Sequence, residues 1–578
     1  MSDIISNDKK KKQLLIKLLG VIALLVLINV ASYRWSTQLD LTRDQKYSTT
    51  KATQQFLNGL KGKAHITVFL KGNNIPAAFK NLSVSTEELL KTFSHNSNDK
   101  ISYDFVDPIE DDDTAIIGTL ARYNMTGFPV TVNGKAGSEQ KMVFPWALVR
   151  YKPENGAPER IMPVFLQESN SMVLSKTILN RSEMLLEYNL ANALFQLQKD
   201  QPDFIAYLTG NEEAFGPEIR SLVATIGRQY GLDTVNLQSQ VALNPAKYKA
   251  VIINRPFKAF SDIDLFKIDQ YIMQGGKVLF SIDAVRASID SFAQKETFIG
   301  MPTELGLNDM LFHYGARINN DLVLDAANNA GIPVASGGQA QQKMFSWPYF
   351  PVLQAGASQH PITKNLDGVL ARFASSIDLN KNNDKVSKTA LLTSSAYSKT
   401  EGAPAAIMYK SVLEEPNPAT FTKKNLVVAA LLEGKFTSAF LNQYSDNVKN
   451  FMAAHNLIFK SGAAKDTKII VLSDADILLN EVSEADNKAM ELGVYRFNKT
   501  YRFDNVTFLQ NCLTYLIDDH NLLEARAKSF ENRILDPKRT EAERSKWQMI
   551  AIGLPLVLVA LLAIIYLYLR KRKYTKNA

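Results

Sequence analysis

The sequence predicts an α/β protein carried between two transmembrane helices. Three observations point there. Residues 14–31 and 549–569 are almost wholly apolar, each close to the roughly 20 residues a helix needs to cross a bilayer core. Basic runs, Lys9–Lys12 and Arg570–Lys573, lie outside both segments. Between them, strands and helices alternate from residue 204 onward, the pattern of a doubly wound parallel sheet covered on both faces.

The first apolar segment is interrupted only by Lys17, Gly20 and Asn29, and defines an anchor over residues 13–32 after a basic tail, 1–12. A cleaved signal peptide is the alternative, with Val30-Ala31-Ser32 as a weak cleavage site, but such apolar regions run only ~7–15 residues. The second anchor, 547–569, carries no charge and precedes a basic tail, 570–578. Tyr33 and Trp35 flank the first span, and Trp547, Tyr566 and Tyr568 the second, where amphipathic rings settle at a membrane interface. Basic residues stay on the cytoplasmic side, so both termini are expected in the cytoplasm and residues 33–546 outside it. Lys17 snorkels to the near face.

Composition agrees with a packed extracytoplasmic body. The 578 residues, 46% hydrophobic, suffice for several domains. The eight residues of the two basic runs match the whole formal charge of +8, leaving no basic stripe for nucleic acid. A single cysteine, Cys512, rules out an internal disulfide or a multi-thiolate zinc site.

Along the body, 47–60 reads as a helix capped near Ser48, 65–70 as a strand, 85–93 as a helix and 101–108 as an alternating strand. This β–α–β order makes 33–200 an N-terminal α/β domain reminiscent of a thioredoxin-like unit, without its Cys-x-x-Cys pair. Strand content continues at 130–132 and 143–151. Ser182 then opens a helix with Leu186, Leu190, Ala193, Leu194 and Leu197 on one face. Residues 201–517 form the doubly wound domain, with strands at 204–208, 250–254, 277–282, 426–432 and 469–472, and helices at 219–230 and 262–273. Residues 326–358, rich in Gly, Ala, Pro and aromatics, read as a long loop, and 518–546 as a helical stalk to the second anchor.

Enzyme signatures are missing. Every Gly-Lys pair is followed by Ala64, Ala136, Val278 or Phe436 rather than Ser or Thr, which excludes a P-loop. There is no Gly-x-Gly-x-x-Gly, His-Glu-x-x-His or Gly-x-Ser-x-Gly, and the six histidines show no ligand spacing. No cofactor or metal site is expected; the acidic run 110–113 reads as a solvated loop. Two candidate contact sites remain. Asp474 and Asp476 follow a strand where doubly wound folds bind ligands, though a turn or cap explains them too. Trp347, Tyr349 and Phe350 cluster in the long loop, where rings stack on sugars or anchor a partner; the alternative is a loop folded back onto its own core. Cys512, with Val506, Leu509, Leu513 and Leu516 at helical spacing, reads as a small buried hydrophobe.

Several stretches together resemble the GldG family of gliding-motility-associated ABC transporter components. They are Asp269–Leu279, Asp309–Gly315, Trp347–Pro351, His360–Thr363, Ser375–Asp378, Leu432–Phe436 and Ser473–Asp476. The resemblance implies an amidotransferase-like doubly wound domain, related to domains of intraflagellar-transport and oligosaccharyltransferase subunits. It also implies separately encoded partners, an ABC permease and a cytoplasmic ATPase, beside the bilayer and a possible glycan or envelope ligand. The expectation is a non-enzymatic periplasmic subunit on the inner membrane, acting in ligand capture or mechanical transmission. A glycan-binding module is one alternative; an envelope hydrolase or amidotransferase is disfavoured by the missing nucleophile.

Overall fold

A computed structural model of the chain describes residues 20, 48–71, 75–109, 114–134, 137–167, 176–293, 295–335, 342–358, 360–380, 385–441, 445–483, 487–518, 522–526 and 537–575. The expected N-terminal anchor and its basic tail, apart from Gly20, the acidic run 110–113 and part of the expected stalk lie outside these residues. The chain divides into a body, Met1–Ser529, and a C-terminal unit, Phe530–Ala578.

The body begins with helix α1 (Lys51–Asn58). Its cap is Thr50 rather than Ser48: the Thr50 hydroxyl oxygen accepts from Thr53 N–H at 3.3 Å. Thr50 also donates its own N–H and O–H to the Glu187 carboxylate at 2.7 and 2.8 Å. Strand β1 (Lys63–Val68), helix α2 (Ala77–Asn96) and strand β2 (Ile101–Phe105) form the expected parallel β–α–β unit. Helix α2 starts well before residue 85, because Phe79 and Leu82 extend the buried face of Leu90 and Phe93. Strands β3 (Phe128–Gly134) and β4 (Gly137–Val143) pair as a separate hairpin. The stretch 143–151 is thus not one strand; Pro145, which has no N–H to donate, precedes β5 (Trp146–Lys152). With β6 (Arg160–Phe165) the first sheet runs β2-β1-β5-β6.

Helix α3 (Lys176–Gln198) belongs to two cores. Leu186, Leu190, Leu194 and Leu197 pack on the first sheet, while the Tyr188 hydroxyl shares a hydrogen bond at 3.0 Å with the buried Thr514 hydroxyl of the second.

The second sheet is larger than the sequence indicates. Strands β7 (Phe204–Thr209), β8 (Gly231–Asn236), β9 (Tyr248–Asn254) and β10 (Lys277–Ser281) are parallel, as β–α repetition requires. Their helices α4 (Arg220–Gly227) and α5 (Asp262–Met273) feed opposite faces. Beyond β10 the sheet turns antiparallel. Strands β11 (Asn329–Ala335), β12 (Gln342–Ala355), β13 (Val386–Thr393), β14 (Val427–Gly434) and β15 (Thr467–Leu472) complete the order β11-β12-β13-β14-β15-β10-β9-β7-β8. Only β15 of these adds parallel to β10. The sheet is therefore mixed rather than wholly parallel.

The long-loop expectation for 326–358 is overturned by β11 and β12. Its composition conceals the strands because Pro348 and Pro351 interrupt a β pattern. The register shift opposite them, between Asn329 and Gly331, is the kind of bulge that lets a ladder hold residues lacking an N–H.

Helix α6 (Asn505–Ile517) closes one face, its Phe508, Leu509, Cys512 and Leu513 fully packed on the sheet. On the other face the buried Asp269 carboxylate accepts from Tyr314 O–H (2.7 Å), Ser438 O–H (2.7 Å) and Ala439 N–H (2.8 Å). It thereby ties α5 to the segments after β10 and β14. The start of the expected stalk is body instead: Leu522, Leu523 and Ala525 are buried in its cores.

In the C-terminal unit, α7 (Pro537–Thr575) is one continuous helix that keeps Pro555 inside it. Its segment Glu543–Arg572 is long and apolar enough to cross a membrane; at 1.5 Å per residue it spans roughly 45 Å against a ~30 Å hydrocarbon core.

Candidate functional site

The carboxyl ends of the parallel strands carry the site. In the order β8-β7-β9-β10-β15, the chain leaves β7 toward β8 on one side, and leaves β9 toward β10 on the other. The loops after β7 and β9 therefore diverge, which opens the crevice where such sheets take ligands. Both loops are conformationally unusual. Gly210 (φ 121°), Glu212 (φ 57°) and Arg255 (φ 48°) all occupy left-handed backbone, sparsely populated by residues other than glycine. At Gly210 a Cβ would also come within 2.8 Å of Asn236 Oδ1.

Arg255 is the hub. Its N–H donates to Ser281 O of the next strand at 2.8 Å, which fixes the turn. Its guanidinium pairs with Glu218 on the turn after β7 and reaches Asp476, after β15, at 3.8 Å. Burial pulls this guanidinium down, but Asp476, Glu218 and Asp283 together hold it above its ordinary value. Asp283 follows β10 and accepts from Ala475 N–H at 2.6 Å. Burial first, and the Asp476 charge second, push its carboxyl up to about 7. Asp474, more deeply buried, accepts from Asp476 N–H (2.9 Å) and Arg372 N–H (2.6 Å), yet burial and the neighbouring Asp476 hold it well above the carboxylate range.

A second tier continues outward. The Arg372 guanidinium pairs with Glu481, whose other oxygen takes Arg496 Nε at 2.9 Å; Arg496 reaches Asp290 at 2.7 Å. Burial lowers Arg372 from its ordinary value. At the mouth, Phe257 lies beneath two guanidinium groups, Arg255 at 5.5 Å and Arg286 at 4.8 Å from the ring centre. Phe215, ahead of the Glu218 turn, is exposed. Alternating, half-buried charges of this kind hold loops in one arrangement, since removing one partner strands the other.

Asp474 and Asp476 are brought together with partners the sequence reading did not single out: Arg255, Asp283, Glu218 and Arg372. The available signal was a charged residue directly after a buried strand, in Asn254-Arg255 and Ile282-Asp283. Asp474 is indeed a cap, of the short turn Ala475–Ile477. Trp347, Tyr349 and Phe350 are not exposed loop contacts. They sit on β12 within an aromatic core, with Trp347 wholly buried, Phe373 against all three and Tyr349 O–H donating to Glu401 at 2.9 Å. Their size and apolarity won: the rings that looked free to stack are stacked on each other. Cys512 lies under the sheet on α6, where burial raises its thiol well above the ordinary value. Among the described residues no cluster of three His, Cys, Asp or Glu could hold a metal ion.

The family described as an ABC-type uncharacterized transport system matches residues 203–512, just over half of the chain. The chain belongs to that family. Its matched region contains β7 through most of α6, and so the whole charged crevice. A domain of unknown function, DUF7088, matches residues 43–150. An uncharacterized protein of Borreliella burgdorferi is 21% identical over 435 residues, 73% of this chain and 78% of that protein. Two solved structures are similar at low scores. The mmIFT52 N-terminal domain is 13% identical, covers 54% of this chain and 97% of that one, and has a TM-score of 0.30. A thuA-like protein from Parabacteroides merdae is 11% identical, covers 55% and 90%, and has a TM-score of 0.25. At these scores neither likeness bears on fold or function. Membership in the transport family, together with the apolar span of α7, makes this an auxiliary, membrane-associated component of an ABC-type system.

Proposed function

We propose that this protein is a non-enzymatic, membrane-anchored subunit of an ABC-type transport complex of the gliding-motility kind, and that it transmits permease movement to the periplasm. The family match over residues 203–512 carries the reading. A chain without a P-loop must take its ATP hydrolysis from another subunit, so a permease and a cytoplasmic ATPase are its partners. The N-terminal segment is read as a second anchor, giving two cytoplasmic termini, with a thioredoxin-like unit on β1–β6 and an amidotransferase-like domain on the large sheet. Transmission is preferred to capture because the rings suited to a ligand are core, whereas Glu218, Arg255, Asp283 and Asp476 latch four strand ends together. A latched sheet moves as a block when pushed from the membrane. Asp474 and Asp476 serve that latch, and Phe257 and Phe215 at its mouth meet a partner.

Gentle extraction of the full-length protein from its native membrane tests the reading. Co-migration with a permease and an ATPase is expected; migration without either removes its support.

A further inference from the structure

A groove of about 300 Å³ opens between the hairpin β11–β12 and the small hairpin Val494–Arg502. Phe345 and Ser346 line one wall; Tyr495, Asn498, Tyr501 and Phe503 line the other. The Tyr495 hydroxyl donates to Gly331 O and pins the two hairpins together. At Gly331 a Cβ would come within 2.7 Å of Phe345 O, so this lining position is kept without a side chain. Tyr501 is half exposed and meets Phe503 edge to face, centroids 4.7 Å apart; Tyr495 meets Phe503 at 6.0 Å. The rings are thus braced by one another, ready to receive a flat apolar face. Ser346 is exposed and its hydroxyl donates to Asn329 Oδ1 at 2.6 Å, leaving its oxygen as an acceptor.

None of the lining residues is charged, and the nearby ammonium of Lys343 is committed over the Phe345 ring, 5.5 Å from its centre. An anionic or cationic ligand would surrender its hydration without a counter-charge. A purely apolar one would strip water from Ser346 and Asn498. A neutral pyranose presents an apolar C–H face ringed by hydroxyls, and matches both kinds of wall. The volume lies at the small end of ligand sites. We propose that this groove binds a neutral oligosaccharide, one sugar ring held between Tyr501 and Phe345 with hydroxyls toward Ser346 and Asn498. On the strand of Trp347 it uses Phe345, a ring only partly packed into the core. The proposal does not depend on the transport partners.

The test uses the full-length protein in lipid nanodiscs, free of glycoside detergents whose head groups would compete. Titration calorimetry and saturation-transfer NMR are run with maltohexaose, mannohexaose, chitohexaose and an acidic oligogalacturonate. Binding of at least one neutral sugar is expected, weakened about tenfold by Tyr501→Ala, equivalent to ~1.4 kcal/mol, and abolished by Met344→Trp, which fills the groove from its lining. Phe312→Ala, an exposed ring elsewhere, should change nothing. The proposal is overturned if no neutral sugar binds up to ~10 mM, well above the 1 mM that corresponds to only about −4.1 kcal/mol. Binding indifferent to Tyr501→Ala and Met344→Trp, or a preference for the acidic sugar, overturns it equally.

Discussion

Asp283 and Ala475 join two neighbouring parallel strands at their carboxyl ends, the Asp283 carboxylate accepting the Ala475 N–H at 2.6 Å. The bond sits beneath Arg255 and Asp476, and burial lifts the Asp283 carboxyl to about 7. This makes the latch responsive to pH.

A carboxyl whose folded pKa exceeds its unfolded value of ~3.9 keeps its proton in the native state while the unfolded chain has already ionised. Its stabilisation is complete below pH ~4 and is lost as pH climbs toward 7. Asp474, shifted the same way, adds to the trend. Thermal unfolding across pH 4–8 should show stability falling through this window. In Asp283→Asn, whose amide oxygen still accepts from Ala475, the fall should be shallower; an identical slope in both proteins would contradict the assignment.

Trp347→Ala should act on folding rather than on recognition. Removing a wholly buried indole from among Tyr349, Phe350 and Phe373 should cost ~3–5 kcal/mol. Denaturant unfolding of Trp347→Ala beside Tyr501→Ala separates the two ring clusters. The half-exposed Tyr501 change should stay within roughly 0.5 kcal/mol, and comparable losses in the two would show that Trp347 is not core.

Cys512 should be inert. Its thiol is fully buried and held protonated, so a thiol-directed reagent should label the native protein only as fast as the body unfolds. Cys512→Ala should leave assembly of the transport complex intact with a modest packing loss. Rapid native labelling, with loss of function in an assembled Cys512→Ala complex, would instead assign it chemistry.

Topology is checked with compartment reporters at the exposed turn residue Gly156 and at the C-terminus. On the proposed topology, with both ends cytoplasmic and the body outside, the two should give opposite signals. A mature N-terminus near Ser32 would remove the first anchor, and matching signals would remove the second.

The sequence alone determined much of the local structure. Helix α5 was legible residue for residue, because Ser261 caps it, its side chain accepting from Asp264 N–H, and Gly275, in left-handed backbone, lies just past its end. The parallel strands β7, β9 and β10 were legible as short apolar runs, and residues 547–569 of α7 as an uncharged stretch of membrane length. These are properties that neighbouring residues carry by themselves. Only the tertiary structure decided the rest. Strand direction beyond β10 depends on which strands pair, and β13–β14 read no differently from parallel strands until their partners are known. The aromatics of β12 carry no mark of burial; Phe373, more than twenty residues away, makes them core. In the crevice, Asp476 was visible as a strand-end acid, but its meaning came from Arg255 and Asp283. Those residues stand some 190 to 220 positions earlier in the chain, and only sheet order brings their charges within reach of one another.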